Sequence, residues 1–342
     1  MITLSHSNLE VALPNDAWGL RPWPRRRSDN RTPVLEIGLV NNMPDAALLA
    51  TERQFIRVVK TAAAGRPVRM HLFSLPGVPR SLEAQARMLG FYHDASKLPE
   101  WDLDALIVTG SEPREATLPD EPYWNELTSL IDWAAANTVS TVWSCLAAHA
   151  AVLHLHGIER RHLGTKCSGV FACNLVADDP LLARIADPVK VTHSRWNGLD
   201  EADLEENGYR VLTRSAEVGI DIFTKDMGSN FLFLQGHPEY EATSLLREYR
   251  RDVGRFLSGE SRRYPDLPTD YFSPAAQSDL LRLRARAHVD RDSVSMEDFD
   301  AFEPRDGLAN ELAGGASLIF CNWFDKLLAQ RSGTQEPAAS QG

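Results

Sequence analysis

The chain has 342 residues, 43% of them hydrophobic and 24% charged, a balance typical of a globular protein with one large core. Its formal net charge of −11 argues against nucleic acid or an anionic membrane surface as a partner. No apolar run reaches the length of a bilayer span, and the opening MITLSHSNLEVALPNDAWGLRPWPRRR lacks the basic-then-apolar order of a secretory signal, so the cytoplasm is the expected compartment.

Residues 1–32, rich in Pro, Arg and Asn, read as an irregular arm whose basic run Arg25–Arg27 stays solvated. Residues 33–328 read as a single α/β catalytic domain. It opens with VLEIGLV (34–40), a compact apolar run rich in β-branched residues and so a buried strand. A helix follows, with apolar residues at Leu48, Leu49, Phe55, Ile56 and Val59. VRMHLFS, SLEAQARMLGFY, ALIVTG and YWNELTSLIDWAAAN continue the alternation of strand and helix. STVWSC (140–145) then runs directly into LAAHAAVLHLHG, a helix stopped by Gly157. Such alternation implies βαβ units, a mostly parallel sheet and helices on both faces, with reactive groups at the carboxyl ends of strands.

Beyond about residue 168 the strands VKVTHSRWNG, YRVLTRS, VGIDIFTKD and NFLFLQGHPEY are closely spaced, so the second half of the sheet gains antiparallel members. A helix, ATSLLREYRRDVGRFLSG, follows. A charged, Pro-punctuated stretch with an insertion at about 273–315 holds one further helix, and ASLIFCNWFDKLLAQ restores an apolar element. The tail, 329–342, is polar and expected to be disordered.

Two segments carry chemistry. STVWSC–LAAHAA places Cys145 at a strand-to-helix turn, a geometry that lifts a nucleophile above the sheet. It aims the Leu146 N–H and the helix N-terminus at the point where an oxyanion develops, and the same positive field favours a thiolate. Position alone also suits a buried core cysteine. The second segment ends a strand with Gly236, His237, Pro238 and Glu239. A His and a Glu two positions apart on extended chain share a side, so Glu239 can hold the imidazole of His237 in the tautomer that serves a thiol. The four cysteines, Cys145, Cys167, Cys173 and Cys321, contain no CxxC pair and are expected to be free thiols. His149, His154, His156 and His162 lack a ligating spacing, so no metal is expected. No Gly-rich phosphate loop of the P-loop or dinucleotide type is present, which leaves nucleotide cofactors without support.

A cysteine at such a turn with a later GHPEY resembles the class I glutamine amidotransferase-like fold. Within that fold the chain resembles the homoserine O-succinyltransferase (homoserine transsuccinylase) family of methionine biosynthesis. The resemblance runs from about residue 34 to 326, through VNNMPD, ALIVTG with PYW downstream, VWSCLAAHAAV, KCSGVF, THSRW, GHPEY, the Arg251–Asp252 pair, DYF and FCNWF, in matching order. It implies that Cys145 is the acylated nucleophile, His237 the general base and Glu239 its orienter. Arg251 then binds the carboxylate of the amino acid, and Lys166 and Ser194 line the substrate pocket. It further implies transfer of a succinyl or acetyl group from acyl-CoA, a co-substrate and not a tightly bound cofactor, to the hydroxyl of L-homoserine. A homodimer is plausible by the same resemblance.

The chain departs from the family pattern in three places. Asp45 and Ala46 stand where the family carries lysines, and the 273–315 connection is longer than usual. Aligned without gaps, Arg114 occupies the position after VTG that separates acetyl from succinyl users. A guanidinium there is suited to the free carboxylate of a succinyl group, and Arg114 is therefore the expected acyl-specificity residue. Three other readings share the same residues: transfer to another hydroxy amino acid such as serine, a glutaminase-type amidotransferase, and a non-catalytic binding relative.

Overall fold

The computed structural model describes residues 2–5, 22–23 and 34–334. Two short pieces of the N-terminal arm, β1 (Ile2–Ser5) and β2 (Pro22–Trp23), are strands that extend one edge of the sheet. The rest of the arm, with its expected irregularity, and the expected disorder of 335–342 lie outside the described residues.

The α/β alternation is present as read: β3 (Leu35–Val40), α1 (Asp45–Ala63), β4 (Val68–Ser74), α2 (Leu82–Phe91), β5 (Tyr92–Asp94), β6 (Ala105–Val108), α3 (Trp124–Asn137), β7 (Ser140–Ser144) and α4 (Leu146–His156). Gly157 at φ 68° closes α4, the left-handed cap expected of it. The second half supplies β8 (Arg161–Leu175), β9 (Val189–Gly198), α5 (Glu201–Glu206), β10 (Arg210–Ser215), β11 (Gly219–Asp226) and β12 (Asn230–Leu234). The helices α6 (Ser244–Leu257), α7 (Pro274–Val289) and α8 (Leu308–Thr334) complete the described chain. The last of these runs past residue 328, where the domain was expected to end. None of these helices is long and apolar enough to cross a membrane.

The strands form one 12-stranded sheet in the order β2-β1-β4-β3-β6-β7-β12-β11-β10-β8-β9, with β5 added beside β4. The half from β2 to β12 pairs in parallel, and β12, β11, β10, β8 and β9 pair antiparallel. β3, β6, β7 and β12 are almost wholly buried because helices cover both faces. One face packs Leu35, Ile37, Phe55 and Val59 against Phe320, Trp323 and Phe324 of α8. The other packs Leu127, Ile131 and Ala148 against Trp143, Phe231 and Phe233.

A third cluster explains the long connection. Tyr249, Val253 and Phe256 of α6 pack with Leu280, Leu283, Ala287, Phe299 and Leu308 from the 273–315 region. That region is charged on its surface, but it is the wall behind α6. Burying apolar side chains at about 25 cal/mol per Å² makes such backing a strong constraint on the position of that helix.

β8 is the long strand that sequence periodicity does not reveal. Its first third, residues 161–165, is exposed and mostly polar, so it lacks the apolar alternation by which a half-buried strand is read.

Candidate active site

Register fixes the site. Ser144, the last residue of β7, pairs with Leu234, the last residue of β12, and Val108 of β6 pairs with Trp143 on the other side. The three loops that leave these strands therefore emerge side by side at the carboxyl edge of the sheet. Cys145 is the first residue beyond β7, and its N–H donates to the Leu234 carbonyl at 2.7 Å. Its backbone sits at φ 53°, ψ −113°, a strained conformation for a non-glycine residue. The strain lets the chain turn from strand to helix in one residue. As the first residue of α4, Leu146 has an N–H with no intrahelical acceptor. Gly110 closes against this turn: a Cβ there would stand 3.0 Å from Leu146 N and 3.4 Å from the Ser144 carbonyl oxygen.

His237 is pinned from behind. Its N–H donates to the Thr192 carbonyl at 2.7 Å, and the preceding Gly236 N–H donates to Asp221 Oδ1 at 3.1 Å. Nδ1 bonds Glu239 Oε1 at 2.8 Å, which leaves Nε2 for the thiol. Burial alone would lower the pKa of this imidazole. The Glu239 carboxylate and the Cys145 sulfur, both close enough to act by charge and hydrogen bond, outweigh burial and raise it well above the usual histidine value. The structure thus brings Cys145, His237 and Glu239 together in one cavity wall.

These groups open into a cavity of about 630 Å³ whose walls include Gly110, Lys166, Ser194, Tyr240, Glu248 and Arg251. On α6, Glu248, Arg251, Asp252 and Arg255 recur at helical spacing and face the cavity, opposite the apolar stripe that packs on the 273–315 region. Lys166 Nζ donates to Asp252 Oδ2 at 2.9 Å and lies 3.5 Å from Glu248 Oε2. Ser194 Oγ donates to Glu248 Oε2, and the Tyr240 hydroxyl donates to Glu248 Oε1 at 2.5 Å. Burial would raise the pKa of Glu248, but Lys166, Ser194 and Tyr240 hold it below the usual carboxylate range, so it stays ionised. Arg251 donates from Nε to Asp252 Oδ1 at 2.9 Å, and Arg255 donates to Glu112 Oε1 at 2.7 Å. The wall is a charge-balanced lattice of both signs.

Arg114 is not part of it. Its side chain is exposed and outside the residues that line the cavity, and its backbone N–H donates to Glu121 Oε1 at 2.7 Å. Ser111, Glu112 and Pro113 line the cavity instead. The ungapped alignment counted positions along a loop in which Glu121 turns the chain outward after Pro113. Glu248 is a wall residue that the sequence did not single out, while Tyr240 and Asp252 stood in the GHPEY segment and the Arg251–Asp252 pair without an assigned role. The signal available was the i, i+3, i+4, i+7 pattern of charge on α6, which also fits a solvated helix face.

The four histidines disperse to separate partners. His149 bonds Gln235 Oε1 at 3.0 Å, His154 bonds Asp132 at 2.8 Å, His156 bonds the Tyr209 hydroxyl at 2.8 Å, and His162 accepts from Gly164 N at 2.9 Å. Burial pushes the pKa of His149 down to about 3, so its ring is neutral. Among the described residues, Cys173, His193 and Asp221 present potential metal-ligand atoms within 4.8 Å of one another. Arg195 Nε lies 3.3 Å from His193 Nδ1, and Asp221 already accepts from Thr213 Oγ1 at 3.0 Å as well as from Gly236. A guanidinium beside a dication is unfavourable, and this donor set reads as the support behind His237. All four cysteines are free thiols.

Sheet, turn and triad define an α/β protein with a cysteine, a histidine and a glutamate together at the carboxyl edge of its strands. The family model described as homoserine O-succinyltransferase matches residues 24–334, and the chain belongs to that family. It is 52% identical over 297 residues to the homoserine O-succinyltransferase of Rhodopseudomonas palustris, covering 87% of this chain and 89% of that one. It is 49% identical over 299 residues to the namesake from Bradyrhizobium japonicum, covering 87% and 91%. A more distant solved structure, a glutamine amidotransferase from Thermotoga maritima, covers 86% of this chain and 98% of its own at 12% identity and a TM-score of 0.49.

Proposed function

We propose that the protein transfers a succinyl group from succinyl-CoA to the hydroxyl of L-homoserine, the first committed step of methionine biosynthesis, through a thioester on Cys145. The observation that carries this reading is the group Cys145–His237–Glu239 in the wall of the cavity. In the first half-reaction the Cys145 thiolate attacks the carbonyl carbon of the acyl thioester. The Leu146 N–H and the backbone at Gly110 face the developing oxyanion. The carbon–sulfur bond to CoA breaks, and the CoA thiolate leaves with the proton held by His237. In the second, the homoserine hydroxyl attacks the acyl-enzyme, His237 takes its proton, and the Cys145 thiolate departs. CoA is a co-substrate throughout.

The charge-balanced wall supports an amino acid as acceptor. A zwitterion brings one charge of each sign. Its ammonium group suits the ionised Glu248, and its carboxylate suits Arg251 and Lys166, with Ser194 holding Glu248 in place. Free cysteines fit the cytoplasm as the site of this reaction.

The test is to incubate the protein with succinyl-CoA alone, find the acyl adduct by intact mass, map it to Cys145, and then discharge it with homoserine. Normal transfer by Cys145→Ala, or discharge by serine as readily as by homoserine, would overturn the reading. Ammonia release from glutamine at a comparable rate would favour amidotransfer instead.

A further inference from the structure

Six arginine and lysine side chains line the cavity: Arg160, Lys166, Arg195, Arg251, Arg255 and Arg263. Five are engaged. Lys166 bonds Glu248 and Asp252, Arg251 bonds Asp252, Arg255 bonds Glu112 and Arg263 bonds Asp266. Arg195 spends its guanidinium on the Asn197 and Val218 carbonyls and on His193. Of these six Arg160 is the exception: among the described residues its guanidinium has no hydrogen-bond partner and no carboxylate within ion-pair distance.

Its position is constrained. It follows the Gly157 cap of α4 and the buried Ile158, and directly precedes β8, so the chain is anchored on both sides. The guanidinium is half-buried and interacts electrostatically with Tyr123, Glu121 and, least of the three, Cys145. Glu121 cannot be counted as its partner by contact. One Glu121 oxygen accepts the N–H groups of Arg114 and Glu115, and the other is buried without a hydrogen-bond partner. A partly desolvated guanidinium without an anion is unfavourable, and it becomes favourable when a carboxylate arrives in its plane.

We infer that Arg160 receives the distal carboxylate of the acyl group carried on Cys145, and so is the residue that selects a dicarboxylic acyl donor. This inference rests on the succinyl-transfer reading above and assigns to Arg160 the part that sequence alignment gave to Arg114.

The test compares succinyl-CoA with butyryl-CoA, which has the same CoA and an acyl chain of the same carbon count but no carboxylate. In Arg160→Met the fall in kcat/KM for succinyl-CoA exceeds the fall for butyryl-CoA by about tenfold or more, and Arg160→Lys lies between. Equal falls with both donors overturn the inference, because they mean that Arg160 binds the CoA moiety or only balances Glu121. If the variants fail to fold, the unmodified protein still decides. The inference requires a succinyl-over-butyryl preference of about tenfold or more that shrinks as ionic strength rises, and a ratio near one overturns it. If the unmodified protein moves no succinyl group to homoserine at all, both readings fall. If it does so and the Arg160 variants show no differential loss, only this inference falls.

Discussion

Tyr240 lies flat on His237, with ring centroids 4.2 Å apart and planes 18° from parallel, while its hydroxyl bonds Glu248. One side chain thus ties His237, proposed as the base of the second half-reaction, to the carboxylate proposed to hold the acceptor. The two roles are separable by mutation. Tyr240→Phe keeps the stack and removes one of the hydrogen bonds that hold Glu248, with Ser194 and Lys166 remaining, so KM for homoserine rises about tenfold, as for loss of one charge-assisted hydrogen bond, while the rate of Cys145 acylation changes little. Tyr240→Leu loses both, and acylation slows as well. Single-turnover acylation and steady-state KM distinguish the two variants.

Glu239 sets the charge state of His237. Glu239→Gln removes the carboxylate that raises the imidazole pKa, so burial takes over and the ring loses its proton at lower pH. Because the folded-state pKa is raised, the stabilisation from this pair is full below the unfolded value of about 6.5 and is lost as pH rises through the folded value. The variant flattens that part of the stability curve. It also lowers the acylation rate by about two to four orders of magnitude. An NMR titration of His237 that is the same in both proteins would refute the assignment.

Gly110→Ala places a Cβ 3.0 Å from the Leu146 backbone nitrogen and 3.1 Å from Leu146 Cβ. Backbone yields less readily than a side-chain tip, so the loop and the start of α4 move apart. The expected outcome is a loss of about 1–3 kcal/mol of stability together with slower acylation, read by thermal melting and by burst kinetics.

Asp221 accepts the Gly236 N–H and the Thr213 hydroxyl in a fully buried position. Asp221→Ala leaves both donors unsatisfied at a cost of about 1–3 kcal/mol each and releases the turn that presents His237. Activity falls more steeply than melting temperature predicts, and the shape of the pH–rate profile changes, which a purely structural role would not produce.

Arg114→Gly leaves the choice of acyl donor unchanged, because the side chain is exposed and outside the cavity. A shift in the succinyl-to-acetyl ratio in that variant, measured by CoA release, would show that the loop folds inward during turnover.

Much of this was legible along the chain, because it depends on neighbours in sequence. The strand–turn–helix around Cys145, the stop at Gly157, the His237–Glu239 pair and the antiparallel strands of the second half all follow from local periodicity and from side chains one or two residues apart. What only the tertiary structure decided depends on register and on the direction of loops. Ser144 and Leu234 are 90 positions apart, and it is their pairing that sets Cys145 beside His237. Glu248 becomes a site residue because Phe299 and Leu280 hold α6 from behind while Ser194 and Lys166 arrive on another ribbon. Arg114 and Arg160 exchange places for the same reason. Neither sits in a periodic element whose faces can be counted, so which guanidinium lines the cavity is settled by packing and hydrogen bonding, not by spacing.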